Sequence, residues 1–84
     1  MQELKVRLYT LSTCSHCKAA KKLLTDLGVH YEFTDIDLLP PDEKRFAMQE
    51  VRKINPMGTF PTIIIGDTVI VGNKENEIRK ALGL

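Results

Sequence analysis

Cys14 and Cys17 are the only cysteines of this 84-residue chain, and they stand three residues apart as Cys14-Ser15-His16-Cys17. A thiol pair at that spacing has two chemistries open to it, exchange with disulfides or ligation of a metal. A bond between the two would close so small a loop that it barely constrains the unfolded chain, so a purely structural disulfide is a poor reading. Structural zinc asks for four ligands, and beyond the cysteines the chain offers His16 and His30. His16 lies between the cysteines, where it cannot readily complete a tetrahedron with both. No metal site is expected.

The neighbouring residues place the pair. Lys5-Val6-Arg7-Leu8-Tyr9-Thr10 alternates apolar with polar side chains, as a strand does. Beyond the cysteines, Ala20, Leu23, Leu24 and Leu27 recur at helical spacing; Lys18, Lys21, Lys22 and Asp26 lie opposite, the lysines read as a solvated face, and Gly28 ends the helix. Cys14 thus falls at a strand-to-helix junction, where free N–H groups and the positive end of the helix dipole stabilise a thiolate. Cys17, one turn further in, shares the side of Ala20 and Leu24 and is expected to be the more buried. Attack then belongs to Cys14, and displacement of the resulting mixed disulfide to Cys17.

The rest of the chain supplies the frame. Val29 to Asp37 reads as a second strand, with Val29, Tyr31 and Phe33 on one face, broken by Leu38-Leu39-Pro40-Pro41. Pro41 opens a helix with Asp42 and Glu43 at its start, Arg52 and Lys53 at its end, and an apolar face of Phe46, Ala47, Val51 and Ile54. Asn55-Pro56-Met57-Gly58 marks a turn. Thr62 to Val71 reads as a hairpin about Gly66-Asp67. A last short helix faces the core with Ile78, Ala81 and Leu82 and is capped by Asn73 or Asn76. Met48 and Met57 read as gap fillers, and His30 as a surface residue. The order βαβαββα is that of a single α/β domain over residues 1–84, a four-stranded mixed sheet with helices on both faces.

Composition excludes several classes of function. Twelve basic against eleven acidic residues leave a net charge of +1, with no footprint for nucleic acid and no polybasic anchor. The longest apolar run, Ile63-Ile64-Ile65, is far short of a membrane span. The first residues hold no apolar stretch with a cleavage site. A cytoplasmic protein, with no membrane or nucleic-acid partner, is expected.

Taken with Tyr9-Thr10-Leu11-Ser12-Thr13-Cys14-Ser15-His16-Cys17-Lys18 and Gly58-Thr59-Phe60-Pro61-Thr62, this element order resembles the glutaredoxins and related small redoxins of the thioredoxin fold. The resemblance covers nearly the whole chain. It implies a minimal thioredoxin fold, a monomer, and thiol-disulfide oxidoreductase activity on protein disulfides or glutathione mixed disulfides. It further implies a cis peptide before Pro61, packed beside the cysteines, with Phe60 pairing through its backbone with the incoming disulfide. Thr13 and His16 are implied to tune the nucleophile; a histidine in the slot of His16 helps stabilise the thiolate in oxidising members of the fold. Tyr9, Thr59, Phe60, Pro61, Thr62, Gly72, Asn73 and Lys74 are the candidates for contact with substrate or glutathione. Glutathione is implied as a co-substrate, with no bound prosthetic group.

The chain also departs from the family pattern. Glutaredoxins usually carry a lysine where Leu11 stands, Pro-Tyr or Pro-Phe where Ser15-His16 stands, and a Gly-Gly-x-Asp-Asp stretch where this chain reads Val71-Gly72-Asn73-Lys74-Glu75-Asn76-Glu77. That register looks more like the glutaredoxin-like electron donors of ribonucleotide reductase, which thioredoxin reductase reduces. Two further alternatives are an iron–sulfur cluster shared between chains through Cys14, and a binding module in which the thiols are incidental.

Overall fold

The computed structural model describes residues 4–84. Its strands are β1 (Val6–Thr10), β2 (Glu32–Asp35), β3 (Thr62–Ile65) and β4 (Thr68–Val71), and its helices α1 (Ser15–Asp26), α2 (Pro41–Ile54) and α3 (Glu75–Ala81). The sheet runs in the order β2-β1-β3-β4. β1 and β2 are parallel, while β3 is antiparallel to β1 and to β4. This is the four-stranded mixed sheet with three helices of a minimal thioredoxin fold.

Alternation along β1 divides the molecule into three layers. Val6 and Leu8 point to one face, where they join Ile63 and Ile65 of β3, Ile70 of β4, Ala20 and Leu24 of α1, and Ile78 of α3. Tyr9 points to the other, where it packs with Leu11, Leu39, Met48 and Phe60 against Ile36, Ala47 and Val51. α1 and α3 therefore cover one face and α2 the other. Each aliphatic side chain buried in these layers contributes about 2 kcal/mol before chain entropy is counted.

Local chemistry closes the elements. α1 ends as its spacing predicts: Gly28 takes a φ of 72°, its N–H reaches Thr25 O and that of Val29 reaches Leu24 O, the double bond that terminates a helix on a left-handed residue. Pro41 occupies the first turn of α2, with Asp42 and Glu43 at its positive end and Arg52 and Lys53 in its last turn. The hairpin turns at Gly66, whose φ of 58° only glycine adopts without strain.

Several expectations are corrected. β2 spans Glu32–Asp35, not Val29–Asp37, because its ladder with β1 stops at Thr10↔Asp35, where β1 itself ends; Ile36–Leu38 coil instead into a 3₁₀ turn. Val29 and Tyr31 pack on the first core. Phe33, on an edge strand that no second strand covers, remains 51% exposed. On α2 the buried residues are Ala47 and Val51. Phe46 and Ile54 lie at the borders of that face and are exposed, and so is Met57, which fills no gap. α3 begins after Lys74, with no side-chain cap, rather than after Asn73 or Asn76.

Candidate active site

β1 delivers the chain to the thiols. After Thr10 a tight turn forms, closed by the Cys14 N–H on Leu11 O at 3.1 Å. Cys14 then caps α1: its backbone is extended and its sulfur accepts from the Cys17 N–H at 3.3 Å, the service a serine or aspartate oxygen usually performs. Cys14 is half-buried and Cys17 buried, and both thiols are free.

The two sulfurs are held differently. Burial acts to raise the Cys14 pKa, but the hydrogen bonds from the Cys17 side chain and from the Cys17 and His16 N–H groups outweigh it, leaving the thiol below its usual 9.0. Burial pushes Cys17 up to about 11, reinforced by its hydrogen bond to Cys14 and by the Cys14 charge. A thiol of lowered pKa and one of raised pKa thus share one helical turn.

Strand register brings the other candidates to the same end of the sheet. Tyr9 pairs with Thr62, so Pro61, just before Thr62, lies level with the end of β1. The Phe60–Pro61 peptide is cis. Gly72 N–H donates to Pro61 O at 2.8 Å, drawing the segment after β4 alongside. Phe60 packs against the second core with Leu11 and Tyr9. Thr13 and His16 are exposed at the helix start, Thr59 is exposed, and Lys74 points outward, its ammonium 3.7 Å from Glu77. Asn73 holds a buried Oδ1 with no hydrogen-bond partner. Thr62 is set apart: it is completely buried, its hydroxyl donating to Thr59 O at 2.8 Å and accepting from Asn55 Nδ2 at 3.0 Å. It shapes the proline loop from beneath.

The structure adds residues that sequence reasoning missed. Asn55, expected only to mark a turn, is buried and also donates to Thr59 O at 3.0 Å, riveting the loop that carries Pro61. Ser12 donates from its N–H to Asp37 Oδ1 at 2.8 Å, and from its hydroxyl to Oδ2. These bonds hold the Asp37 pKa below its usual 3.8 and tie the turn before Cys14 to the 3₁₀ turn that follows β2. Lys21 is no part of a solvated face: its side chain is 19% exposed and lies 3.1 Å from Asp35 Oδ1. The polar types at Ser12, Asp37 and Asn55 were the available signals; their partners, 25 residues away for Ser12 and Asp37, were not. Away from the thiols, a groove of about 380 Å³ opens between the sheet and α2, lined by Tyr9, Leu39, Phe46 and Ala47 with Asp42, Glu43 and Glu50 at its rim. Among the described residues there is no group of three or more His, Cys, Asp or Glu side chains placed to hold a metal.

A dithiol at a helix N-terminus, with a cis-proline loop at the same end of a mixed four-stranded sheet, defines a small redox protein of the thioredoxin fold. The sequence model of the glutaredoxin family matches residues 6–70. The solved methanoredoxin of Methanosarcina acetivorans is 52% identical, covers 95% of this chain and 85% of its own, and superposes with a TM-score of 0.90. The glutaredoxin of Methanosarcina mazei Go1 is 53% identical, over 95% of this chain and 79% of its own, at a TM-score of 0.88. The chain belongs to the glutaredoxin family, whose members are dithiol-disulfide oxidoreductases. Among curated proteins, glutathione S-transferase Z2 of Arabidopsis thaliana is 38% identical over 81% of this chain, which spans 28% of that protein's length.

Proposed function

We propose that this protein is a thiol-disulfide oxidoreductase that reduces protein disulfides or glutathione mixed disulfides through Cys14 and Cys17. The observation that carries the reading is the Cys14 sulfur at the N-terminus of α1, accepting the Cys17 N–H at 3.3 Å with its pKa lowered while that of Cys17 rises. Cys14 thiolate attacks the substrate disulfide, joining one substrate sulfur and releasing the other as a thiol. Cys17 then displaces the bound sulfur and closes the Cys14–Cys17 bridge, and an external thiol or reductase returns both to thiols. The Phe60 backbone pairs with the substrate, Tyr9, Thr59 and Pro61 shape the docking edge, and Gly72, Asn73 and Lys74 contact glutathione or a partner protein. Thr13 and His16 tune the nucleophile; His16→Ala is expected to raise the pH at which Cys14 alkylates, and an unchanged profile would remove His16 from the mechanism. The protein works as a monomer in the cytoplasm.

The source of electrons separates two readings. Glutathione suits the family. Thioredoxin reductase, and with it service as an electron donor to an enzyme such as ribonucleotide reductase, is favoured by Leu11, which packs into the second core where the family's glutathione-binding lysine would sit, and by the absence of an aspartate pair in Gly72-Asn73-Lys74-Glu75. Reduction of the oxidised protein by each system, followed through NADPH consumption, decides between them. Cys17→Ser tests the dithiol route itself. It is expected to retain deglutathionylation and to accumulate mixed disulfides with protein substrates, and loss of both abilities would overturn the two-step scheme.

A further inference from the structure

α1 carries lysines at 18, 21 and 22, and they do not share one environment. Lys18 is exposed, and Lys22 pairs with Asp26 at the surface, its side chain 76% exposed. Lys21 is drawn inward. Its ammonium lies 3.1 Å from Asp35 Oδ1 and 3.8 Å from the centre of the Phe33 ring. The same Asp35 oxygen accepts from the hydroxyl of Thr10, which is completely buried at the end of β1. The last residues of two strands thus hold one ammonium in place. A half-buried ion pair of this kind adds little net stability, because desolvation offsets most of the attraction, so its position calls for another account.

Lys21 follows Cys17 by one helical turn, on the same side of α1. Cys17 is completely buried, and in the second half of the exchange it must ionise where burial resists ionisation. The groups acting on its thiol are Cys14, which opposes the charge, and the Leu11 backbone and Lys21, which favour it. Asp35 faces the ammonium as its ion-pair partner. Once Cys14 is bonded to substrate its own charge is gone, while the Leu11 N–H and the Lys21 ammonium remain.

We propose that Lys21, held by Asp35 and Thr10, is a positioning residue for the resolving step, its ammonium stabilising the Cys17 thiolate that displaces the substrate. The proposal rests on the dithiol reading above. In that step Cys17 gives its proton to solvent, its sulfur bonds to Cys14 Sγ, and the bond from Cys14 to the substrate sulfur breaks. The electron pair leaves with the substrate thiolate, which takes a proton from solvent in turn.

The test is a single-turnover reaction of the reduced protein with one equivalent of dithiobis-nitrobenzoate, read by its coloured thiolate. Attack by Cys14 releases the first thiolate in a concentration-dependent phase, and displacement by Cys17 releases the second in a concentration-independent one. Lys21→Met is expected to slow the second phase about tenfold, the equivalent of one pKa unit, and to move its pH midpoint upward. Lys21→Arg, which keeps the charge, is expected to restore most of the rate. Equal slowing of both phases, or an unchanged second phase, would overturn the proposal. If Lys21→Met does not fold, the double variant Lys21→Gln/Asp35→Asn, which removes both charges, makes the same comparison. A wild-type protein lacking the second phase would instead refute the dithiol reading.

Discussion

Cys14 and Cys17 occupy one turn of α1 and differ in the properties that govern a thiol. Cys14 sits at the cap, half in solvent, with N–H groups aimed at its sulfur. Cys17, three residues further in, is completely buried. The same chemical group has a lowered pKa in one place and a raised one in the other. Three residues along a helix are enough, because the helix end offers unpaired donors and the next turn in offers none. The division of labour proposed for the exchange rests on that gradient of burial and hydrogen bonding.

The largest expected effect comes from removing the exposed member of the pair. Cys14→Ser should lower disulfide reductase activity roughly a thousandfold or more, since a hydroxyl is a far weaker nucleophile than a thiolate; retained activity would make the thiols incidental. Next is selectivity of alkylation. With Cys17 shifted from 9.0 to about 11, its thiolate fraction at neutral pH falls about a hundredfold below that of an ordinary cysteine, so iodoacetamide should mark Cys14 alone. Mass spectrometry of the alkylated protein across a pH series checks this, the Cys14 midpoint falling below 9.0.

The same asymmetry has a consequence for stability. Cys17 keeps its proton in the folded state up to about 11 but loses it near 9.0 when unfolded. The unfolded state therefore binds fewer protons between those values, and the reduced protein should lose stability as pH rises from about 9 to about 11. Cys17→Ala should flatten that limb of the denaturation curve.

Two smaller effects probe the supports. Asn55→Ala removes the amide donor shared by the buried Thr62 hydroxyl and the Thr59 carbonyl, leaving them only their bond to each other, and should cost about 1–3 kcal/mol in denaturant unfolding, with weaker substrate docking at the Pro61 loop. Asp37→Asn weakens the tie to Ser12 without deleting it. It is expected to reduce turnover severalfold, with Asp37→Ala worse; an equal or faster rate in both would show that the turn before Cys14 needs no brace from the 3₁₀ turn after β2.

Much of this organisation can be read in the chain itself. Alternation in β1, the apolar side of α1 with Gly28 after it, the Pro41 start of α2 and the Gly66-Asp67 hairpin are local signals, and each element lies where they place it to within a few residues. The thiol pair at a helix N-terminus is local as well, and with it the unequal burial of Cys14 and Cys17. Extents and exposures are less local: β2 ends where its partner ends, and Phe46 and Met57 are apolar yet exposed.

What the sequence by itself determined is therefore the order of elements, the dithiol and its polarity along the helix, all set by neighbours a turn or a strand step apart. Only the tertiary structure decided which polar residues pair with one another around that dithiol. Ser12 meets Asp37, Thr10 and Lys21 meet Asp35, and Asn55 meets Thr62. Lysine on a helix and asparagine in a turn look the same in a sequence whether they face water or the core. Their roles arise only when the parallel register of β1 and β2 and the packing of α1 on the sheet remove them from solvent, since a buried polar group must find a partner there.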